Sequence, residues 1–134
     1  MRHAITLTLV AGLAVAAGAR ADGGDPVRGA EVFKVQCSAC HLYKEGGGNP
    51  IGPSLYGVIG RKAGSWSTFP YTPAMKKAGL TWDVAQLDAY LENPYAVVPG
   101  AAMALTVPVA KNRADVIAYL ASKPEALKQP ERKP

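Results

Sequence analysis

The chain has 134 residues, a length typical of one domain, and its 15 Lys and Arg outnumber 10 Asp and Glu to give a formal charge of +5. This excess does not indicate a nucleic-acid partner, because several of the basic residues lie near the two termini and no basic patch alternates with aromatic residues. We therefore expect no nucleic-acid binding.

The first 21 residues have the three parts of a secretory signal peptide. Met1–His3 is a short basic start, Ile5–Ala19 is an apolar run, and Ala19-Arg20-Ala21 is a cleavage motif. A retained membrane anchor is the alternative, but the apolar run is shorter than the roughly 18 residues that a spanning helix needs. We therefore predict that residues 1–21 are removed, that the protein is periplasmic, and that it has no permanent membrane anchor.

Residues 22–124 form the predicted folded domain, and residues 125–134 form a basic tail. The tail ends in KQPERKP and shows no apolar periodicity, so we predict that it is disordered. A folded domain of this size can bury a core, though not a large one.

Short helices and long loops are predicted along the folded part. Asp25-Pro26 is a helix start, and apolar residues at helical spacing carry this helix into the cysteines. Residues 41–71 are dense in Gly and Pro and show no sustained period. A loop of this length in a compact domain requires something functional to organise it. Thr72-Pro73 then opens a short helix that Gly79 closes.

In the second half of the domain, the sequence predicts two more helices. Thr81 is the expected cap of a helix that ends before Pro94. Residues 95–110 are loop-like, and Asn112, with Asp115 three residues on, is the expected start of a last helix that Pro124 stops. There is almost no strand signal, so the predicted class is all-α. Such short helices cannot enclose a tight core alone, which favours a large apolar group at the centre.

The sequence CSACH, from Cys37 to His41, holds both cysteines of the chain and one of its two histidines. A thioredoxin-like pair needs a neighbouring βαβ pattern, which is missing. A structural zinc site needs four ligands, usually as two pairs, and only one pair exists. A plain disulfide leaves His41 without a role.

The remaining interpretation is c-type haem attachment, for which C-x-x-C-H is the signature. Each thiol adds across a haem vinyl group to form a thioether, and the following histidine lies under the iron. We therefore predict one haem c, bound covalently through Cys37 and Cys40 with His41 as the proximal ligand. The long loops then wrap the porphyrin.

A second axial ligand has two candidates, because Met75 and Met103 are the only methionines after Met1 and no other histidine remains. Met103 lies in an extended loop that could cross the haem face. Met75 lies in a short helix, where a packing role is favoured. At this level Met103 ranks first and Met75 stays open.

Beyond the attachment motif, the chain resembles the class I cytochromes c, closest to the mitochondrial type and its bacterial periplasmic relatives. The likeness runs from Gly24 to about Lys123. It rests on GDPVRGAEVFKVQCSACH, IGPSLYGVIGRKAG, FPYTPAMKKAGLTW and LDAYLENPYAVVPGAAM, which follow in the family's order and spacing. It implies the class I cytochrome c fold, with three to five short helices around one covalently attached haem.

The resemblance also implies individual roles. Met103 matches the distal thioether ligand, and Tyr90 matches the tyrosine beside its sulfur. Pro53 matches the residue whose carbonyl accepts the proximal imidazole N–H. Three further residues match those grouped around the inner haem propionate: Arg61, Tyr71 and Trp82. Four match the crossing of the first and last helices: Gly29, Phe33, Val116 and Tyr119.

Several positions depart from the mitochondrial type. Tyr56 stands in place of a histidine, Met75 in place of an asparagine near the propionate, and Ala101-Ala102 in place of a Thr-Lys pair. The lysine-rich ring around the haem edge is largely absent. We therefore expect docking to be apolar and weakly steered, around the haem edge with Ala101, Ala102 and Ala104 nearby.

The function that follows is that of a periplasmic monohaem electron carrier. We expect a non-enzymatic monomer that cycles between Fe(II) and Fe(III), between a donor dehydrogenase or membrane complex and an acceptor oxidase or reductase. One alternative is a haem subunit of a larger dehydrogenase. Another is a weak peroxidase, if a labile Met103 opens the iron to peroxide.

Overall fold

The computed structural model describes residues 23–48 and 51–122. The predicted signal peptide (1–21) and basic tail (125–134) lie outside the described residues. Within these ranges the chain forms five helices: α1 (Pro26–Gln36), α2 (Pro73–Lys77), α3 (Val84–Glu92), α4 (Pro94–Val97) and α5 (Ala110–Ala121).

The starts of α1 and α2 are as predicted. The Asp25 carboxylate accepts hydrogen bonds from the backbone N–H groups of Val27 and Arg28, and Pro26 occupies the first turn. At α2 the Thr72 hydroxyl accepts from the Met75 N–H, again with a proline in the first turn. Both helices therefore begin where a side chain satisfies backbone donors that the helix itself leaves free.

The predicted cap of α3 is wrong. Asp83, and not Thr81, caps this helix, and its carboxylate accepts from the Gln86 N–H at 2.7 Å. Thr81 instead forms an isolated antiparallel bridge with Lys62, next to a 2.9 Å bond from the Trp82 N–H to the Arg61 carbonyl. This long-range pairing keeps the chain extended for two more residues.

The predicted start of the last helix is also wrong. α5 begins at Ala110, before Asn112, and its N-cap residue Val109 makes no side-chain capping bond. Asp115 accepts instead from the Asp25 backbone N–H at 2.6 Å and from the Arg28 side chain at 3.0 Å. The single turn α4 overlaps the start of the loop predicted over residues 95–110.

The crossing of α1 and α5 frames the fold, as predicted. Gly29 is buried there, and a Cβ atom at this position would collide with the Asp115 carbonyl oxygen. Close to it, the rings of Phe33 and Tyr119 lie 5.4 Å apart, and Val116 is buried. The crossing therefore depends on a backbone-to-backbone contact that only glycine permits.

In residues 23–48 and 51–122 no strand is present apart from the Lys62–Thr81 bridge, so the all-α prediction is confirmed. None of the helices in this part of the chain is long and apolar enough to span a bilayer. The helices and loops do not close on one another at the centre, where they leave a cavity of about 400 Å³.

Candidate haem site

The central cavity has a volume typical of small-molecule and cofactor sites, which measure roughly 300–1,000 Å³. Much of its wall is apolar and buried, including Val58, Leu87, Leu91, Val116 and Leu120. The residues singled out from the sequence all line this one cavity: Cys37, Cys40, His41, Pro53, Arg61, Tyr71, Trp82, Tyr90 and Met103. The fold therefore brings together positions that are up to 66 residues apart along the chain, from Cys37 to Met103.

The end of α1 presents the two thiols and the histidine. The Cys37 N–H donates to the Phe33 carbonyl, and the N–H groups of Cys40 and His41 both donate to the Cys37 carbonyl, at 3.1 and 2.9 Å. The chain thus stays coiled for one more turn beyond Gln36. This coiling places both sulfurs and the imidazole on the cavity wall.

Both cysteines are free thiols, so the disulfide interpretation does not hold. Burial raises the pKa of Cys37 to about 11, and the neighbouring Cys40 adds to the shift. Redox-active and nucleophilic cysteines have lowered pKa values instead. Within the described ranges there is also no group of three or more His, Cys, Asp or Glu that could hold a metal ion.

The His41 ring is fixed by the loop that follows it. Its Nδ1 lies 2.8 Å from the Pro53 carbonyl oxygen, and burial lowers the pKa of the imidazole. A neutral ring whose Nδ1–H donates to a carbonyl has its lone pair on Nε2, the arrangement usual for a metal-ligating histidine.

Gly52 holds the same ring from a second side. A Cβ atom there would lie 2.6 Å from His41 Cε1 and 2.7 Å from Nδ1, inside van der Waals contact. Sequence reasoning did not single out Gly52. Its only signal was its place before Pro53, and the need for glycine arises from a contact between residues 11 positions apart.

Ser54 is a second residue that sequence reasoning missed. It is fully buried, and its hydroxyl donates to the Lys44 carbonyl at 2.9 Å and accepts from the Tyr56 N–H at 3.2 Å. Its own carbonyl accepts from Arg61 at 2.7 Å. Ser54 therefore fixes the loop that carries Pro53 and also holds the cation beside it.

One edge of the cavity carries hydrogen-bond donors. The Arg61 guanidinium donates to the carbonyls of Tyr56 and Ser54, and burial lowers its pKa. Tyr71 and Trp82 line the cavity with it. Among the described ion pairs Arg61 has no carboxylate partner. A half-buried cation of this kind favours an anionic group inside the cavity.

Both methionines line the cavity. Met75 is buried on α2, while Met103 is half-buried in an extended segment. That segment is held at each end, by the Ala101 N–H on the Val98 carbonyl at 2.9 Å and the Val107 N–H on the Leu91 carbonyl at 2.7 Å. The geometry therefore leaves both thioethers within the same cavity.

Tyr90 lies against Trp82, with ring centroids 4.9 Å apart in an edge-to-face arrangement. Burial raises the pKa of Tyr90 to about 12, and Tyr95 adds to the shift. The Tyr90 hydroxyl is therefore neutral at physiological pH and can donate a hydrogen bond within the cavity.

These residues fit a covalently attached haem. The cavity offers an apolar wall for the porphyrin and two free thiols for its vinyl groups. It offers the iron an oriented imidazole and, as a second ligand, one of two methionine sulfurs. The guanidinium of Arg61 offers a cation for the carboxylates. The imidazole fits only because residue 52 is glycine, since a Cβ atom at this position would overlap the ring.

Known proteins share both the sequence and the fold. The family model for cytochrome c matches residues 26–123. Cytochrome c2 from Rhodomicrobium vannielii is 47% identical over 120 residues, which cover 89% of this chain and 95% of that protein. Cytochrome c from Gibberella zeae is 48% identical over 99 residues, covering 73% and 93%. The solved structure of cytochrome cH from Methylobacterium extorquens is 40% identical with a TM-score of 0.68, and the match covers 75% of this chain and 100% of that one.

Proposed function

This chain belongs to the class I cytochrome c family, and we propose that it works as a periplasmic carrier of single electrons. It takes them from a donor dehydrogenase or membrane complex and passes them to an acceptor oxidase or reductase. The family binds haem c covalently through two cysteines, which in this chain are Cys37 and Cys40. The observation that carries the proposal is the Pro53–His41 hydrogen bond at the wall of a cavity that both thiols line.

The proposed iron ligands are His41 Nε2 and the Met103 sulfur. The Pro53 carbonyl supports the first, because it takes the Nδ1–H and raises the basicity of the ring. The extended segment around Met103 supports the second, since Met75 is already part of the buried core on α2. With these two side chains holding the iron, small molecules would be kept from the metal.

When bound, the haem supplies the Fe(II)/Fe(III) couple. The chain supplies the surroundings that set its potential. The buried wall of Val58, Leu91 and Leu120 excludes water and lowers the local dielectric constant, which favours the less charged ferrous form. Arg61, held by two backbone carbonyls at the cavity wall, would provide a cation for the carboxylates of the haem. Neither axial residue needs to move for an electron to pass, so no acid, base or nucleophile is required.

The mouth of the cavity supports an apolar docking face. Five of the residues that line the cavity are exposed, and none is charged: Ile51, Pro70, Ala102, Ala104 and Leu105. Ala101 was expected near this face, but it is only 6% exposed and belongs to the core. A face of this composition steers partners weakly, so its association rate should depend little on salt.

The location and the assembly state are part of the same proposal. Residues 1–21 support export to the periplasm, and the match over residues 26–123 supports one haem domain within residues 22–124. We propose a free monomer and no permanent membrane anchor. The N-terminal residue of the exported protein and its mass in solution test both points, and an intact Met1 or a stable complex with a dehydrogenase contradicts them.

The ligand assignment is tested with the two methionines as a matched pair. In Met103→Ala the ferric sulfur-to-iron charge-transfer band should vanish and the midpoint potential should fall, because the thioether that favours Fe(II) is lost. Met75→Leu removes the other thioether at similar volume and should keep the band. If the band survives in Met103→Ala and vanishes in Met75→Leu, Met75 is the iron ligand instead. Loss of the colour into acidified acetone from the wild-type protein would contradict covalent attachment itself.

The docking face is tested by oxidation with ferricyanide, a small anionic probe, over a range of ionic strengths. The oxidation rate of the wild-type protein should change little with salt, whereas the oxidation rate of Ala102→Lys should fall as salt is added. A steep salt dependence in the wild-type protein would contradict an apolar mouth. This outcome leaves the haem attachment and the electron-carrier assignment unaffected.

A further inference from the structure

The Met103 segment begins at a tight turn that is buried at both ends. The turn runs from Val98 to Ala101, whose N–H donates to the Val98 carbonyl at 2.9 Å. Pro99 and Gly100 are its central residues, and Gly100 has a φ of +90°, the left-handed conformation that a type II turn requires at this position. Val98 and Ala101 are 2% and 6% exposed. Met103 follows two residues later, so the position of this turn limits where its sulfur can reach.

The turn packs against helix α2. A Cβ atom at Gly100 would lie 3.0 Å from the Cβ atom of Ala74, the second residue of this helix. Two carbon atoms pack best at roughly 3.5–4.0 Å, so there is no room for a side chain at Gly100. The Gly100 backbone therefore lies close to the Ala74 methyl group, and a larger side chain at residue 74 would push against the turn.

A second glycine holds the same helix against the loop that carries Arg61. A Cβ atom at Gly64 would lie 2.9 Å from both the Met75 carbonyl oxygen and the Lys76 Cα atom, which is closer than non-bonded atoms normally approach. The backbone of α2 therefore packs directly on the backbone at Gly64. This contact fixes the helix on which the Gly100 turn packs.

The chain on the two sides of α2 is also joined. The Ala63 N–H, before the helix, donates to the Leu80 carbonyl, after it, at 2.9 Å. The helix is thus part of a loop that is closed at its base. Its buried residue, Met75, lines the haem cavity, while the neighbouring Ala74 contacts the turn. α2 therefore connects the wall of the haem cavity with the start of the Met103 segment.

We propose that α2 positions the distal ligand: the Gly100 turn packs on Ala74, and the small size of residue 74 sets how firmly the Met103 sulfur binds the iron. This inference rests on the proposed Met103 ligand. Ala74 is a positioning residue, because it acts through the turn and is not among the residues that line the haem cavity. A larger side chain at residue 74 displaces the turn, since Gly64 holds the helix, and the turn carries Met103 with it.

The test measures how tightly imidazole, a neutral competing ligand, binds the ferric protein, followed by loss of the sulfur-to-iron band. Ala74→Val should bind imidazole about tenfold more tightly than the wild-type protein, because overpacking weakens the Met103–iron bond. Ala74→Ser has a helix propensity close to that of valine but adds one heavy atom instead of two, so its increase should be smaller. Lys77→Val places valine at an exposed position of α2 and should leave the affinity unchanged.

Two results of this comparison would overturn the proposal. Equal imidazole affinities in Ala74→Val and Ala74→Ser would mean that the stability of α2, and not the contact with the turn, controls the ligand. An affinity of Ala74→Val equal to that of Lys77→Val would mean that residue 74 has no special effect.

A double-variant cycle examines the same contact from the turn and does not depend on the folding of Ala74→Val. Gly100→Ala adds backbone strain and a close contact with residue 74, whereas Ala74→Gly removes the methyl group that this contact meets. The double variant should therefore bind imidazole less tightly than the two single variants together imply. Gly79→Ala is the control for strain alone, since its φ is +69° and its Cβ atom would meet only the Lys77 carbonyl oxygen, at 3.9 Å.

Additive effects of Gly100→Ala and Ala74→Gly, or a Gly79→Ala variant that binds imidazole as tightly as Gly100→Ala, also overturn the proposal. The electron-carrier function is tested separately. A haem that acidified acetone does not remove, with a sulfur-to-iron band that Met103→Ala abolishes, supports that function even where residue 74 has no effect.

Discussion

The two segments that carry the proposed iron ligands are held in different ways. His41 is fixed by contacts close in sequence: its N–H bonds to Cys37, its Nδ1 faces Pro53, and Gly52 packs against the ring. Around Met103, the backbone hydrogen bonds of the described chain fall at Ala101 and Val107, and none falls between them. The histidine side is thus held by residues within 12 positions of it along the chain, while the methionine side spans a gap between two anchors.

The anchor on the C-terminal side of the Met103 segment depends on helices α3 and α5. Leu91 on α3 accepts from the Val107 N–H, and the side chain of Arg113 on α5 donates to the carbonyls of Val107 and Pro108, both at 3.1 Å. Arg113 is itself paired with Asp88 at 2.8 Å and Glu92 at 3.3 Å. Loosening α3 or α5 should therefore release the methionine before it disturbs the histidine.

The largest expected effect comes from removing Arg113. Arg113→Met leaves two carbonyls without a charged donor, so the free energy of unfolding should fall by about 1.5–3 kcal/mol. The sulfur-to-iron band should weaken and the ferrous protein should bind carbon monoxide more readily, while the haem stays attached. Denaturant unfolding and absorption spectra measure both effects. Lys111→Met, at an exposed position on the same helix, is the control, and equal behaviour of the two variants would contradict the anchoring role.

A change on the histidine side comes next. Gly52→Ala forces a methyl group against the imidazole and should lower the free energy of unfolding by about 1–3 kcal/mol, because the ring or the loop must shift. The ring signals of His41 in the NMR spectrum should move. Gly48→Ala is the matched control, since a Cβ atom there meets only the Thr68 hydroxyl, at 3.8 Å. If both variants behave alike, the close contact at Gly52 is not a constraint.

The smallest effect is expected away from both ligands. Arg28, followed by the Asp25 backbone N–H, holds the pKa of Asp115 at about 2, below its ordinary value of 3.8. A lowered folded-state pKa contributes stability that is present above about pH 4 and is lost as the pH falls toward 2. Asp115→Asn should reduce stability at neutral pH by roughly 1 kcal/mol and flatten this acid slope.

Unfolding followed at several pH values, with the charge-transfer band recorded in parallel, tests this prediction. The band should keep its wild-type intensity in Asp115→Asn at neutral pH, since neither ligand segment contacts this carboxylate. An acid slope as steep in the variant as in the wild-type protein would mean that other carboxylates carry the effect.

Several features were predictable from sequence because their determinants are local. The caps at Asp25 and Thr72 act within three residues, and the attachment motif occupies five consecutive positions. The errors came from long-range contacts. Thr81 was drawn into a bridge with Lys62, and Asp115 was drawn to the start of α1. A capping residue can be predicted from sequence only where no stronger distant partner competes for it.

The sequence by itself determined the kind of cofactor and the class of fold, because a five-residue motif and the spacing of prolines, glycines and apolar residues need no tertiary information. Only the tertiary structure decided what surrounds the haem: that Gly52 packs on the imidazole, that Ala101 is buried, and that Arg61 faces the cavity under Trp66. These contacts join residues whose separation along the chain leaves no periodic signal. Their energies depend on burial, which exists only after the chain has folded.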